Sequence, residues 1–550
     1  MGPVHVGEAV AGALVDLGAD RVFGVIGSGN YVVTTTLDAR GARFVAARHE
    51  CAAVCMADGY ARASGRVGVA SVHQGPGLTN ALTGLAEAAK SRTPLLLLAA
   101  DTPAAAVHSN FRVDQAAACA AVGAVVERVH TPNSALQDVE RAWRRARDHR
   151  RTVVLLLPLD VQAAELPRPQ PLAAGPPPRP PAPAPAAISE AADLVQRSRR
   201  PAILAGRGAV GDDARERLIA LADEIGAVLA TSAVANGLFA GHPYDLGISG
   251  SFASPTAAGL LASADLVLGF GASLNNWTTK HGALIAPDAG VVQVDLDEEA
   301  IGARRPVAVG VVADAAEAAG ALLDELRRRG ARGQGFRSPE LADRIARGRW
   351  RDQPYQDAST ESTIDPRTLT IALDDLLPAD RALAVDSGHF MGWPAMYLQV
   401  RSARAFVFNQ AYQSIGLGLG AAIGAAVADP GRVTVAALGD GGTFMSLGEL
   451  ETAARLRLPL LLVVYNDDAY GAEVHHFTDR PEGLELVRFP ETDIAAIGRA
   501  VGADGVTVRG LEDLKAVESW LAHRDRPLVV DAKVTPTVVG AWLEEAFRGG

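Results

Sequence analysis

Two clusters of small and acidic residues in the last third of the chain have the types and spacing to hold a metal ion beside a diphosphate. Gly439-Asp440-Gly441-Gly442 follows an apolar run at 433–438, and Asn466-Asp467-Asp468 closes a second run at 460–465. Asp440 and Asn466 supply hard oxygen ligands of the kind Mg²⁺ or Ca²⁺ prefers, with phosphate oxygens completing the shell. The glycines let backbone N–H groups approach a diphosphate closely. Taken singly, each cluster also fits an ordinary Asp-Gly turn or an Asn cap. Their spacing, Gly439 to Asn466, is about the length of one βαβ crossover, and it favours a ligand pair.

Further candidates lie near the start. Glu50 closes the run FVAARHE and opens a helix that carries Asp58-Gly59-Tyr60-Ala61-Arg62. A carboxylate there can take up a proton, or simply favour a helix N-terminus through the dipole. His73 follows the apolar run 67–72 and opens His73-Gln74-Gly75-Pro76-Gly77-Leu78-Thr79-Asn80. An imidazole is the side chain best placed to move protons near neutral pH. Glu473 and His476, in AYGAEVHHF, share a face at i, i+3 if a helix starts there, and otherwise make a solvated polar turn. Cys51 and Cys55 read as small buried residues.

Something must position these groups, and the chain supplies it as alternation. Short apolar runs (21–26, 44–47, 67–72, 95–99) alternate with Ala-rich helical stretches throughout, the rhythm of βαβ units and parallel sheets covered on both faces. The fold class is therefore α/β, with three doubly wound parallel-sheet domains. Of 32 prolines, ten crowd residues 166–187, which marks a linker. The expected division is 1–165, the linker 166–187, a central domain 188–330, a weaker linker 331–365 rich in Gly, Arg, Asp and Ser, and 366–550. Polar clusters at the carboxyl ends of such strands stand where open α/β sheets bind ligands.

Composition excludes several classes. Lys and Arg number 52 against 63 Asp and Glu, a balance that does not attract nucleic acid or an anionic membrane. Three cysteines make no disulfide framework, no secretory leader is apparent, and no apolar run reaches the ~20 residues of a membrane span, so the cytoplasm is the expected compartment.

On these motifs the chain resembles the thiamine diphosphate (ThDP)-dependent enzymes of the acetolactate synthase, pyruvate oxidase and benzoylformate decarboxylase superfamily. The resemblance implies a pyrimidine-binding first domain, a central domain and a diphosphate-binding third domain. It implies that Asp440, Asn466 and the backbone carbonyl of Asp468 hold Mg²⁺, and that Gly439, Gly441, Gly442, Ala469, Tyr470 and Gly471 lie at the diphosphate. Glu50 becomes the carboxylate that hydrogen-bonds the aminopyrimidine and drives removal of the C2 proton. Gly75, Pro76 and Asn80 match a loop beside the pyrimidine, and Ser387, Gly388, His389 and Phe390 a second diphosphate-contacting strand end. Ser414 and Ile415 match the loop whose bulky apolar residue bends the cofactor; Ile415, stiff at χ1, suits that wedge, or is a plain core residue.

The pocket departs from the acetolactate synthase pattern. Gly24-Val25-Ile26-Gly27-Ser28-Gly29-Asn30 replaces a Gly-x-Pro-Gly-Gly turn, Phe111-Arg112 a Phe-Gln pair, and His476 a tryptophan. Ser28 and His73 line up instead with the catalytic serine and histidine of benzoylformate decarboxylase. Asn30, Phe111, Arg112, Gln115, Glu473 and His476 are the substrate-pocket candidates. In the central block Gly206-Arg207-Gly208-Ala209-Val210-Gly211 formally matches a dinucleotide fingerprint, but no acidic residue closes the next strand. Gly247-Ile248-Ser249-Gly250 lacks the histidine of the relatives' flavin-binding stretch, which argues against FAD.

The reaction implied is decarboxylation of a 2-oxo acid and transfer of the acyl carbanion to a second carbonyl, in a homodimer or homotetramer whose sites lie between chains. The alternative is non-oxidative decarboxylation alone. A flavin-dependent oxidase and a non-catalytic homologue are the remaining options.

Overall fold

The computed structural model describes residues 4–166, 172, 175–211, 213–330 and 335–547. Within them lie three six-stranded parallel sheets with helices on their faces. Strands such as Leu95–Asp101, Thr152–Pro158 and Leu460–Asn466 are buried along their whole length, which is why they read as unbroken apolar runs instead of alternating ones.

The first sheet runs Arg43–Ala46, Arg21–Gly24, Gly68–Val72, Leu95–Asp101, Thr152–Pro158, Val125–Arg128. The third runs Phe406–Phe408, Arg381–Val385, Val433–Gly439, Leu460–Asn466, Leu528–Lys533, Asp504–Val508, the same order of connection. In both, the first strand lies between the second and the third, so the winding reverses between the first strand and the third. That reversal opens a crevice at the carboxyl edge. Phe23 pairs with Ala70 there in the first sheet, and Val385 with Ala437 in the third. The residues just beyond those pairs include Ser28 and His73 in one case and Ser387 and Asp440 in the other.

The first and third sheets dock through two helices, Glu50–Ser64 and Gly418–Ala428, and their apolar residues form one continuous core. A Cβ on Gly59 would overlap the Ala421 carbonyl oxygen, and one on Gly424 the Met56 carbonyl oxygen. The Asp-Gly-Tyr-Ala-Arg run therefore serves docking. Arg62, buried, pairs with Asp58 at 2.8 Å and Glu87 at 3.1 Å, and donates to the Phe408 carbonyl at 3.0 Å. Glu449, also buried, accepts from the backbone N–H groups of Arg48 and His49, each at 3.0 Å.

Part of the proline-rich stretch, 167–171 and 173–174, lies outside the described residues. Residues 175–184 hold no helix or strand, and a helix starts at Pro185, with proline in the first turn where it has no N–H bond to lose. The segment expected as a second linker differs from that expectation. Beyond residues 331–334, which are not described, Pro339–Ala346 is a helix capped by Ser338, and Trp350 Nε1 donates to the Phe252 carbonyl at 2.7 Å. Its polar composition hid an amphipathic turn that Ser338-Pro339 starts. No helix among the described residues is long and apolar enough to cross a membrane.

Candidate active site

The crevice of the third sheet is a cavity of about 400 Å³. The carboxyl ends of Arg381–Val385, Val433–Gly439 and Leu460–Asn466 line it, with Ser387, Gly388, His389 and Phe390 on one side and Gly439 through Gly442 on the other. Ile415, Ala469, Tyr470, Gly471 and Glu473 complete the walls; Ser414 adjoins Ile415. The glycines are sterically required: a Cβ on Gly441 would lie 2.6 Å from the Tyr470 ring, and one on Gly442 would strike the Asp386 carboxylate. Asp386, fully buried, accepts from the N–H groups of Gly416, Leu417 and Gly418 at 2.8–3.1 Å and so fixes the turn that carries Ile415. Nothing in its sequence neighbourhood marked that positioning role.

The acidic floor adds Asp467 to the expected ligand candidates. Asn466 is still on its strand, and its side chain faces the neighbouring strand: Nδ2 donates to Asp531 at 2.8 Å, and Oδ1 accepts from the Asp468 N–H at 3.0 Å. The Asp468 carbonyl is likewise engaged, accepting from the Phe489 N–H at 2.7 Å. Asp467, one residue later and therefore pointing the opposite way, lines the cavity beside Asp440. Convergent acidic oxygens among glycine N–H groups fit a divalent cation carrying a diphosphate. The Asn-Asp-Asp run held this signal, but choosing among its members needed the pleat phase at the strand end.

His389 is buried beneath this floor. Its ring stacks on Trp542 with centroids 6.1 Å apart, Nε2 accepts from the Gly540 N–H at 3.0 Å, and burial pushes its pKa down to about 3, so the ring is neutral. His475 packs against it at 4.4 Å. Glu473 and His476 do fall on one short helix, Gly471–His476; Glu473 reaches the cavity, and His476 is exposed against Phe477.

The first sheet presents a separate set at its own carboxyl edge. Glu50 is the first residue of its helix, and its Oε2 accepts from Asn80 at 3.1 Å. His73 Nδ1 accepts from the Gly29 N–H at 3.1 Å, which places the proton of the neutral ring on Nε2. Burial lowers the His73 pKa, with the Glu50 charge opposing. Phe111 meets the His73 ring edge-on at 5.0 Å, and Ser28, Pro76, Phe111 and Arg112 are exposed around it.

Two pocket candidates are instead structural. Asn30 bonds to the Gly27 N–H, the Val25 carbonyl and Ser71 at 2.8–3.1 Å, and Gln115 bonds to the Gly75 N–H and the Ala100 carbonyl. Both are buried and spend their amides on shaping the loops that carry Ser28 and Gly75. Glu50 does not line the third-sheet cavity of its own chain.

In the central domain the fingerprint glycines have a packing reason. A Cβ on Gly206 or Gly208 would collide with Gly271, whose loop leaves the adjacent strand. The hydrogen bond with Cys51, and then burial, push the pKa of the Cys55 thiol up, which leaves it inert.

Burial pushes Asp440 up to about 7, aided by the Asp468 charge, and Asp467 up to about 8, aided by the Asp440 charge. Both exceed the ~3.9 of an unfolded aspartate, so between those values the native state binds more protons and stability falls as pH rises. Metal-free protein should therefore melt progressively lower from pH 5 to pH 8. Calorimetry on Asp467→Asn should show that decline reduced by a few degrees; an unchanged slope would contradict the burial argument.

Comparison with known proteins follows the same division. Three models match: thiamine pyrophosphate enzyme, N-terminal TPP binding domain, over residues 4–121; the central domain over 188–322; and the C-terminal TPP binding domain over 386–532. A sulfoacetaldehyde acetyltransferase of Rhodobacter capsulatus is 32% identical over 560 residues, covering 94% of this chain and 92% of that protein. A probable 2-ketoarginine decarboxylase of Pseudomonas aeruginosa is 31% identical over 525 residues (93% and 90%). An acetolactate synthase large subunit of Parasynechococcus marenigrum is 28% identical over 551 residues (96% and 86%). Matched in all three domains and alike nearly end to end, the chain belongs to the thiamine pyrophosphate enzyme family and is acetolactate synthase-like within it.

Proposed function

We propose that the chain is a ThDP- and Mg²⁺-dependent carboligase that decarboxylates a 2-oxo acid and passes the acyl carbanion to a second carbonyl compound. The observation that carries the cofactor assignment is the placement of Asp440 and Asp467 together in a glycine-walled cavity. In this reading Asp440 and Asp467 hold Mg²⁺, and Gly441 and Gly442 take the diphosphate. ThDP supplies, when bound, a carbon nucleophile and an acceptor for the electrons released on decarboxylation. Glu50 holds and returns a proton at its carboxylate, kept in place by Asn80. His73 offers the Nε2 proton to a developing oxyanion or carbanion, and the exposed Arg112 offers a cation to the substrate carboxylate.

The assembly proposed is a homodimer or a homotetramer, with each site formed between chains. Its support is that Glu50 stands apart from the cavity of its own chain, while apolar side chains are exposed near both carboxyl edges: Tyr31, Val107 and Phe111 on the first domain, and Phe444, Met445 and Phe477 on the third.

Transfer is favoured over simple decarboxylation because two of the three relatives above are named as an acetyltransferase and a synthase. The decarboxylase reading keeps its own support in the His73 geometry and the 2-ketoarginine decarboxylase relative. Labelled pyruvate and benzoylformate, supplied with ThDP and Mg²⁺, should give acyloin-type products. Aldehyde alone would overturn the carboligase assignment.

A further inference from the structure

A second cavity, of about 410 Å³, lies at the opposite edge of the molecule in the seam between the first and third domains. Its residues stand at the amino ends of parallel strands: Arg21 and Arg43 begin two strands of the first sheet, and Leu458 and Pro459 run into Leu460–Asn466 of the third. The cleft that holds Asp440 and Asp467 is at the other end of those strands.

The lining is chemically divided. Arg21, Arg43, Arg457 and Arg524 supply the cationic part, with His523 beside them, and no aspartate or glutamate lines the cavity, although the chain as a whole carries more acidic than basic residues. Val45, Val427, Leu456, Leu458 and two prolines supply an apolar wall. The nearby carboxylates are few and already engaged. Asp525 takes Arg457 at 3.0 Å, and Asp20, 3.8 Å from Arg21, also accepts from Tyr60 at 2.7 Å and pairs with Arg66. Arg43 and Arg524 make no side-chain hydrogen bond or ion pair among the described residues.

Arg457 and Arg524 both hold left-handed backbone, φ 51° and 46°, a conformation an arginine rarely adopts. Four guanidinium groups around one concavity with so little compensating charge repel one another, and an anion relieves that repulsion. The planar fork of arginine matches phosphate oxygens two at a time. The volume falls in the range of small-molecule sites, and an apolar wall is what the organic part of such a ligand needs.

We propose that this seam is a binding site for an organic phosphate of nucleotide size, with the arginines on the phosphates and the Val45–Leu456 wall on the organic part. Its distance from Glu50 and Asp467 along the strands makes the ligand an effector, not a substrate. Because one wall belongs to the first domain and the other to the third, the ligand selects their docked arrangement and raises its stability by mass action. The assignment does not depend on which reaction the enzyme performs.

The test is calorimetric titration of ADP, and separately of inorganic pyrophosphate, into protein saturated with ThDP and Mg²⁺ so that the diphosphate cleft is filled. One ADP per chain should bind, more tightly than pyrophosphate, with an affinity that weakens as salt is raised. The double variant Arg43→Ser/Arg524→Ser should lose at least tenfold in ADP affinity while the melting temperature of the ligand-free protein does not fall, since neither side chain has a partner to lose and the remaining arginines repel less. Absence of ADP binding, or equal binding by the variant, would overturn the site. Pyrophosphate binding as tightly as ADP would overturn the role of the apolar wall.

Discussion

Glu50→Gln should lower kcat by about 10²–10⁴-fold, the range that a positioned proton-transfer group contributes, while ThDP and Mg²⁺ still bind. The amide keeps the size of the side chain and can still meet Asn80, so helix Glu50–Ser64 and its docking against Gly418–Ala428 should persist. What is lost is the ability to hold a proton at an anionic oxygen. Single-turnover kinetics separate the two outcomes: the defect should appear in the chemical step, with cofactor affinity changed by no more than a few-fold. A variant with undiminished kcat on every accepted substrate would remove Glu50 from the mechanism. His73→Ala should cost less, about 10²-fold, the lower end of that range, because only one proton-transfer event then loses its donor.

Asp467 and Asn466 should behave oppositely although they are adjacent. Asp467→Ala removes one of the two aspartates in the cavity and should weaken Mg²⁺-dependent ThDP binding by at least about 100-fold, more than the 10–100-fold typical of groups one layer further out. Asn466→Ala leaves both Asp440 and Asp467 in place. It strips the buried Asp531 of a 2.8 Å donor and should cost about 1–3 kcal/mol of stability with metal affinity nearly intact. Titration of ThDP at varied Mg²⁺, read beside thermal melts, checks both. Loss of metal affinity in Asn466→Ala with none in Asp467→Ala would restore the ligand set first read from the sequence.

That pair shows where the sequence was legible and where it stopped. The strands around the site were readable because burial on both faces makes them unbroken apolar runs, and the Gly-Asp-Gly-Gly and Asn-Asp-Asp clusters were readable because they interrupt those runs at the right distance. The side-chain phase at the end of Leu460–Asn466 was not readable, since one residue more or less of strand turns the whole set to the other face. The loop-shaping bonds of Asn30 and Gln115 were hidden for a related reason. A buried amide and a substrate-binding amide look alike until the backbone groups around them are known, here Gly27, Val25 and Gly75. The helix Pro339–Ala346 was hidden by composition, although its Ser338 cap and following proline were in view.

Glu449 carries one more consequence. It begins the helix that follows the Asp440 cleft, and its carboxylate grips the two backbone N–H groups immediately before Glu50. In the proposed dimer, the Glu50 of a chain serves one cleft while its own Asp440 serves the other, so this single carboxylate ties together halves of two different active sites. The two sites should then fill and turn over in alternation, with negative cooperativity in ThDP binding, and the smallest unit that works as designed is the pair.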